Sequence, residues 1–213
     1  MAELLILASA SPARLATLRA AGIDPTVLAT GIDEEAVLAD AKAASPGLGP
    51  AGQVLALARA KAEAAAPSAP PKALVLGCDS MLELDGEVLG KPTGPPDAAR
   101  RIRQQSGRRA TLHTGHWLAG PAQAASQRRG EGQVSSTIVR FGQITDAEIA
   151  AYVATGEPLA VAGAFTIDGL GGPFIEGVEG DHHGVVGLSL PVLRQLLGRF
   201  GLSVCDLWRP GLL

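Results

Sequence analysis

The sequence predicts a mixed α/β fold in which a sheet flanked by helices includes one antiparallel hairpin. Three observations carry that expectation. Residues 4–7 and 73–77 are short, continuous apolar runs of the kind that form strands buried on both faces. Between and after them lie stretches with helical apolar spacing and recognisable caps. Asp85-Gly86 sits between the apolar stretches 81–84 and 88–89, which is the chemistry of a tight hairpin turn.

The elements follow in order. After the first strand, Ser11 is a good N-cap and Pro12 a good first helical residue, and Gly22 ends the helix. Residues 27–29 read as a second strand. Residues 40–52, with several Gly, Pro and Ser, read as a loop. Val54, Leu57, Ala58 and Lys61 then fall at helical spacing, giving a helix over 53–66 broken by the prolines that follow. The strand at 73–77 precedes the hairpin. Pro95-Pro96 opens a helix over 97–105, and strands follow at 111–119 and 134–141. The polar, Gly-rich stretch 120–132 reads as an exposed connection. Thr145 with Glu148 three residues on predicts a capping box at the start of a helix that Gly156 closes. A turn at 169–172, a strand at 174–178 and a helix over 190–200 complete the chain, which shows no internal repeat and no separating linker.

Composition narrows the function. The 213 residues are 46% hydrophobic and 18% charged, a globular balance with enough chain for a full core. Aromatics are 3%, and the net charge is −3 with basic residues no more than two in a row, which argues against a general nucleic-acid surface. Two distant cysteines, Cys78 and Cys205, make neither a disulfide framework nor a zinc site. The start is too short and wrongly charged for a signal peptide, and no apolar run approaches a bilayer span; the expectation is a cytoplasmic protein without membrane partners. Only four of the 18 basic residues are lysine: Lys42, Lys61, Lys72 and Lys91. Under such arginine bias, a retained lysine suggests a chemical role.

Four segments offer chemistry. Ser9-Ala10-Ser11-Pro12-Ala13-Arg14 is a strand-to-helix turn, whose free N–H groups and helix dipole attract phosphate, with Arg14 one turn in. Taken alone, an ordinary capped helix explains it more simply. In Gly77-Cys78-Asp79-Ser80, Asp79 is expected at the carboxyl end of the buried strand, where α/β proteins place ligands. There it could bind magnesium, act as base for water, or merely form a turn. Cys78 reads as a small core residue. Gly90-Lys91-Pro92 fixes Lys91 beside a proline at the end of the hairpin, and Lys61 is a second candidate cation. Asp33-Glu34-Glu35 could hold a metal, although such a run alone is usually a solvated turn. In the segment from Ala162 to Gly169, small residues allow close ligand approach and Asp168 could hydrogen-bond to a base edge. The neighbouring His182 and His183 read as turn residues rather than zinc ligands.

Taken in order, these segments resemble the Maf family of nucleotide pyrophosphatases, over nearly the whole chain from Leu4 to about Phe200. The family's opening Ser-x-Ser-Pro-Arg-Arg is similar to Ser9 to Arg14, its acidic pair to Asp33-Glu34, and its Lys-Ala to Lys61-Ala62. Asp79-Ser80 resembles its Asp-Thr, and Gly90-Lys91-Pro92 its Gly-Lys-Pro. Ser106-Gly107-Arg108, Thr114-Gly115, the stretch from Tyr152 to Glu157-Pro158, and the late Gly180-Asp181 through Val186-Gly187-Leu188 continue the likeness. Ala13 departs from the first Arg, Ala160-Val161 from Asp-Lys, Asp168 from Gln, and Ser189 from the Pro after Gly-Leu.

The resemblance implies one domain over 1–213: a long curved mixed sheet with helices, two lobes around a cleft, and often a dimer. It implies hydrolysis of a nucleoside triphosphate to monophosphate and pyrophosphate, clearing non-standard or excess nucleotides. A divalent ion, Mg²⁺ or Mn²⁺, would be held by Glu34 and Asp79. Asp79, Lys61 and Lys91 would be catalytic, and Ser9, Ser11, Arg14, Ser80 and Asp168 would bind substrate. Ala13, Ser80 and Asp168 fall where members differ in base preference; Asp168 leans towards a modified or purine-like base, with dTTP and UTP as close competitors. The alternatives are a catalytically silent nucleotide sensor in division control and a phosphohydrolase releasing orthophosphate.

Overall fold

The structure is a computed structural model that describes residues 4–122 and 127–209. Its strands form one mixed sheet in the order β2-β1-β3-β5-β6-β7, with β4 paired to β3. In chain order the elements are β1 (Leu5–Leu7), α1 (Pro12–Ala20), β2 (Thr26–Val27), α2 (Glu34–Ala44), α3 (Pro50–Ala65), β3 (Leu74–Leu84), β4 (Glu87–Leu89), α4 (Pro95–Gln105), β5 (Arg109–Ala122), β6 (Arg128–Phe141), α5 (Asp146–Ala154), β7 (Ile175–Glu179), α6 (His182–Val186) and α7 (Leu190–Arg199). The chain forms two compact units. The first comprises the chain up to Asp79, Thr114–Ser135 and the chain from Gly187; the second comprises Ser80–His113 and Ser136–Val186.

In the first unit β1 lies parallel between β2 and β3, with Ile6 opposite Thr26 and Leu7 opposite Leu76. Both faces of β1 and of residues 74–76 of β3 are covered, which is why those two stretches read as unbroken apolar runs. Leu5, Leu7, Leu74 and Leu76 face α1 and α7 through Leu18, Leu193 and Leu196. Ile6 and Val75 face the other way, onto Ala62 and Ala65 of α3. Two glycines bring α3 in close. A Cβ on Gly77 would stand 2.0 Å from the Ala58 carbonyl oxygen, and one on Gly115 would stand 2.3 Å from that of Val54. No other side chain fits at either place.

In the second unit the hairpin pairs Leu82 with Leu89 and Leu84 with Glu87 across Asp85-Gly86, both at positive φ as a type I′ turn requires. Leu82, Leu84, Leu112, Val139 and Phe141 form its inner face, where Phe141 meets Phe165 edge-on at 5.0 Å. Helices α4 and α5 pack through Ala98, Ile102, Ile149 and Tyr152. The Thr145–Glu148 capping box is complete.

Five expectations are corrected. Residues 40–44 continue a helix and only 45–49 are loop, because Asp33 caps α2 and an alanine-rich run favours helix. The same cap makes Asp33-Glu34-Glu35, which stays exposed, a helix start rather than a turn. The exposed connection at 120–132 is mostly strand: β5 runs to Ala122 and β6 begins at Arg128, with 123–126 outside the described residues. Arg128 ties that end down, donating to the carbonyls of Ala73 and Gly120 at 2.5 and 2.9 Å. Asp79 does not follow a strand but lies inside β3, since the run at 74–77 and the first hairpin strand are one element. His182 and His183 open the short helix α6 rather than a turn.

Candidate functional site

The alternation of β3 decides where Asp79 points. Leu74, Leu76 and Cys78 face the α1/α7 core, so Val75, Gly77 and Asp79 face α3. With Ala58 resting on Gly77, Lys61 lies one turn further along α3, opposite Asp79. Its ammonium donates to Asp79 Oδ1 at 2.5 Å and pairs with Glu34 Oε1 at 2.8 Å. Glu34 opens α2, behind Asp33, whose carboxylate accepts the Ala36 N–H at 3.0 Å. The acidic pair thus divides its work: Asp33 holds the helix and Glu34 reaches the lysine. Asp79 is only 8% exposed and the Lys61 side chain 13%, while Glu34 is half open to solvent.

Arg14 brings a second buried cation. Its Nε–H donates to the Gly187 carbonyl at 2.8 Å, and one terminal nitrogen donates to Ser9 Oγ and the Cys78 carbonyl, each at 2.9 Å. Ser9 is therefore wired to Arg14, and Ser11 caps α1 through the Arg14 N–H at 3.4 Å. The cap and the arginine belong to one structure, so the simple capped-helix reading of this segment is incomplete.

These surroundings set the proton affinities. Burial pushes the Asp79 carboxyl above its ordinary range; Lys61 and Arg14 pull it back part of the way, and Glu34 adds to the rise. The Cys78 thiol, also buried, is pushed up to about 12 despite Arg14. It is a core residue, as the sequence suggests, and no nucleophile.

Ser9, Ser11, Arg14, Glu34, Lys61 and Asp79 are thus assembled within the first unit. Ser80, Lys91 and Asp168 belong to the second. Ser80 is half-buried on β3. Lys91 is exposed, but its backbone is held: the Gly90 carbonyl accepts from Arg101 at 2.6 Å and from the Gly163 N–H at 3.0 Å, and Asp97 accepts the Thr93 N–H. Asp168 is exposed on a loop that Glu157 anchors by accepting the Leu170 and Gly171 N–H groups.

Sequence reasoning did not find the main-chain partners of Arg14, because carbonyl oxygens carry no residue signature. It also passed over two histidines in β5, whose signal was their place in an apolar run. His116 is fully buried and accepts the Ser189 N–H at 2.8 Å. In the second unit His113 bridges Ser136 at 2.8 Å and Glu83 at 2.9 Å. That relay lies within strands, not on the sharp strand-to-helix turn that exposes a serine nucleophile, and it serves as a polar cross-link of β3, β5 and β6.

A mixed sheet bearing a buried carboxylate paired with a helix lysine, beside a capped helix wired to a buried arginine, is the equipment of an α/β protein that handles anionic substrates. The chain belongs to the Maf-like protein family, whose model matches residues 4–200. It is 50% identical over 209 residues to a nucleoside triphosphate pyrophosphatase of Streptomyces avermitilis, covering 97% of this chain and 95% of that protein. A protein of the same name from Streptomyces coelicolor is 51% identical over 209 residues, with the same coverage. One from Mycobacterium sp. (strain JLS) is 48% identical over 212 residues, 98% of this chain and 99% of the relative.

Proposed function

We propose that this protein hydrolyses nucleoside triphosphates to the monophosphate and pyrophosphate, removing non-standard or excess nucleotides. The observation that carries the reading is the Glu34–Lys61–Asp79 cluster beside Arg14, in a chain about 50% identical to nucleoside triphosphate pyrophosphatases. A triphosphate brings about four negative charges, and water attacks its phosphorus only where these are balanced. Lys61 and Arg14 supply buried positive charge for that purpose, and the Gly90-Lys91-Pro92 motif gives Lys91 the same task. Asp79, once ionised, accepts a hydrogen bond from the attacking water, orients it and takes up its proton. Water adds to the α-phosphorus as the bond to the pyrophosphate oxygen breaks.

A divalent ion, Mg²⁺ or Mn²⁺, belongs to the same proposal. Among the described residues no three His, Cys, Asp or Glu side chains gather as a complete metal cage. Two carboxylates converging on one ammonium instead suit an ion that takes one or two protein carboxylates and completes its shell with water and phosphate oxygens. Glu34 and Asp79 would hold it, and it would neutralise phosphate charge and make bound water more acidic. The test is a panel of natural and modified nucleotides with Mg²⁺ or Mn²⁺, with the products identified. The reading expects pyrophosphate and monophosphate from at least one triphosphate, and loss of activity in EDTA. Orthophosphate as the only product would sink the reaction assigned here, and full activity in EDTA would sink the metal.

A further inference from the structure

His116 is a buried imidazole in an apolar strand. Burying an imidazole costs free energy that hydrogen bonds must offset, and an aliphatic residue on the face of β5 that carries Leu118 would incur no such cost. What the imidazole gains is a main-chain partner: Nε2 accepts the N–H of Ser189 at 2.8 Å. An acceptor Nε2 fixes a neutral ring with its proton on Nδ1. Ser189 is then held on every side, because its Oγ accepts the Val192 N–H at 3.1 Å and its carbonyl accepts the Leu193 N–H at 3.0 Å. Two residues earlier, the Gly187 carbonyl accepts Arg14 Nε–H at 2.8 Å. Gly187 has φ +116, a backbone state that its own residue does not fix, so the direction of that carbonyl depends on what pins its neighbours.

We infer that His116 is a positioning residue for Arg14. It locks the 187–189 segment by accepting the Ser189 N–H, so that the Gly187 carbonyl holds the guanidinium beside Ser9 and the Cys78 carbonyl. The inference rests on the proposed role of Arg14 in balancing substrate phosphate. His116→Leu and His116→Phe delete the acceptor and keep an apolar filling; His116→Gln keeps an acceptor oxygen. Steady-state kinetics on the best triphosphate, alongside Arg14→Ala, separates the possibilities. The expected result is a rise of about tenfold in KM for the Leu and Phe variants, with kcat changed far less, and partial recovery in the Gln variant. Arg14→Ala should raise KM at least as much. If Arg14→Ala raises KM and folded His116 variants stay within about twofold of wild type, His116 is only a core residue and the inference is overturned. An unchanged KM for Arg14→Ala itself removes the reading of Arg14 instead. Should the apolar variants not fold, nitrogen NMR of the wild type still decides: a neutral Nδ1–H imidazole is expected, and a charged ring or an Nε2–H tautomer refutes the arrangement.

Discussion

Replacing Asp79 by Asn removes one charge at nearly constant volume from the centre of the Lys61 cluster. Two effects on stability oppose each other. Lys61 loses its nearer partner at 2.5 Å, and removing one member of a buried pair typically costs about 3–5 kcal/mol. Here Glu34 remains 2.8 Å from the same ammonium and is half-exposed, so the lysine keeps a carboxylate and some access to water. The variant also sheds the cost of burying an ionised Asp79, which is what raises that carboxyl's proton affinity. The net loss should be about 1–2 kcal/mol at neutral pH, or roughly 2–8 °C in Tm for a chain of this size. The sign with pH follows from linkage. The folded state binds the Asp79 proton more tightly than the unfolded chain, so wild-type stability from this group is greatest at acid pH. It falls as pH rises from about 3.9 through the raised folded value. The deficit of Asp79→Asn relative to wild type should therefore narrow over that interval. Turnover, by contrast, should drop about 10²-fold or more at every pH tested, because the variant lacks the carboxylate proposed to orient the water. The assay is triphosphate turnover on protein whose fold is verified by circular dichroism and urea titration. A folded Asp79→Asn enzyme with near-normal turnover would refute the role given to this residue.

Gly77→Ala places a methyl 2.0 Å from the Ala58 carbonyl oxygen and 2.8 Å from the Ala62 nitrogen, both main-chain atoms of α3. Helix and strand must separate, so a loss of about 3 kcal/mol, with Tm down roughly 6–12 °C and turnover lost, is expected; an unchanged Tm contradicts the packing described. Glu157 accepts from Tyr152, Thr166 and the Leu170 and Gly171 N–H groups. Burial alone would raise its carboxyl, but these bonds outweigh it and hold it low. The stability this carboxylate adds over Glu157→Gln should be fully present above about pH 4.3 and lost as pH falls from there through the lowered folded value; urea midpoints at neutral pH and at acid pH below that range check this, and a constant difference refutes it. Thiol titration at mildly alkaline pH should find the exposed Cys205 fast and Cys78 silent until the protein unfolds, and Cys205→Ser should abolish the fast phase. A fast thiol remaining in that variant contradicts the buried Cys78.

Much of this was legible in the sequence, for local reasons. The α1 cap, the Asp85-Gly86 hairpin and the Thr145–Glu148 box follow from residue chemistry within four positions, and all are present. Asp79, Lys61 and Glu34 stand out by type and motif, the family resemblance puts them in one site, and the fold gathers them. What the sequence hid was non-local. That β3 continues through Asp79 depends on pairing with other strands, and glycine at 77 hinted at a strand end when its purpose is to seat α3. The alanines of α2 looked like loop beside Gly, Pro and Ser because the helix buries no residue, so no apolar stripe marks it. The Gly187 carbonyl under Arg14 and the imidazole of His116 act across separations of 173 and 73 residues, beyond any spacing rule.

The central claim is that water attacks the α-phosphorus and pyrophosphate leaves whole. Turnover in heavy-oxygen water, read by the isotope shift in phosphorus NMR, tests it directly. The account predicts one heavy oxygen on the nucleoside monophosphate and none in the pyrophosphate. Label in the pyrophosphate, or orthophosphate released in its place, would contradict it.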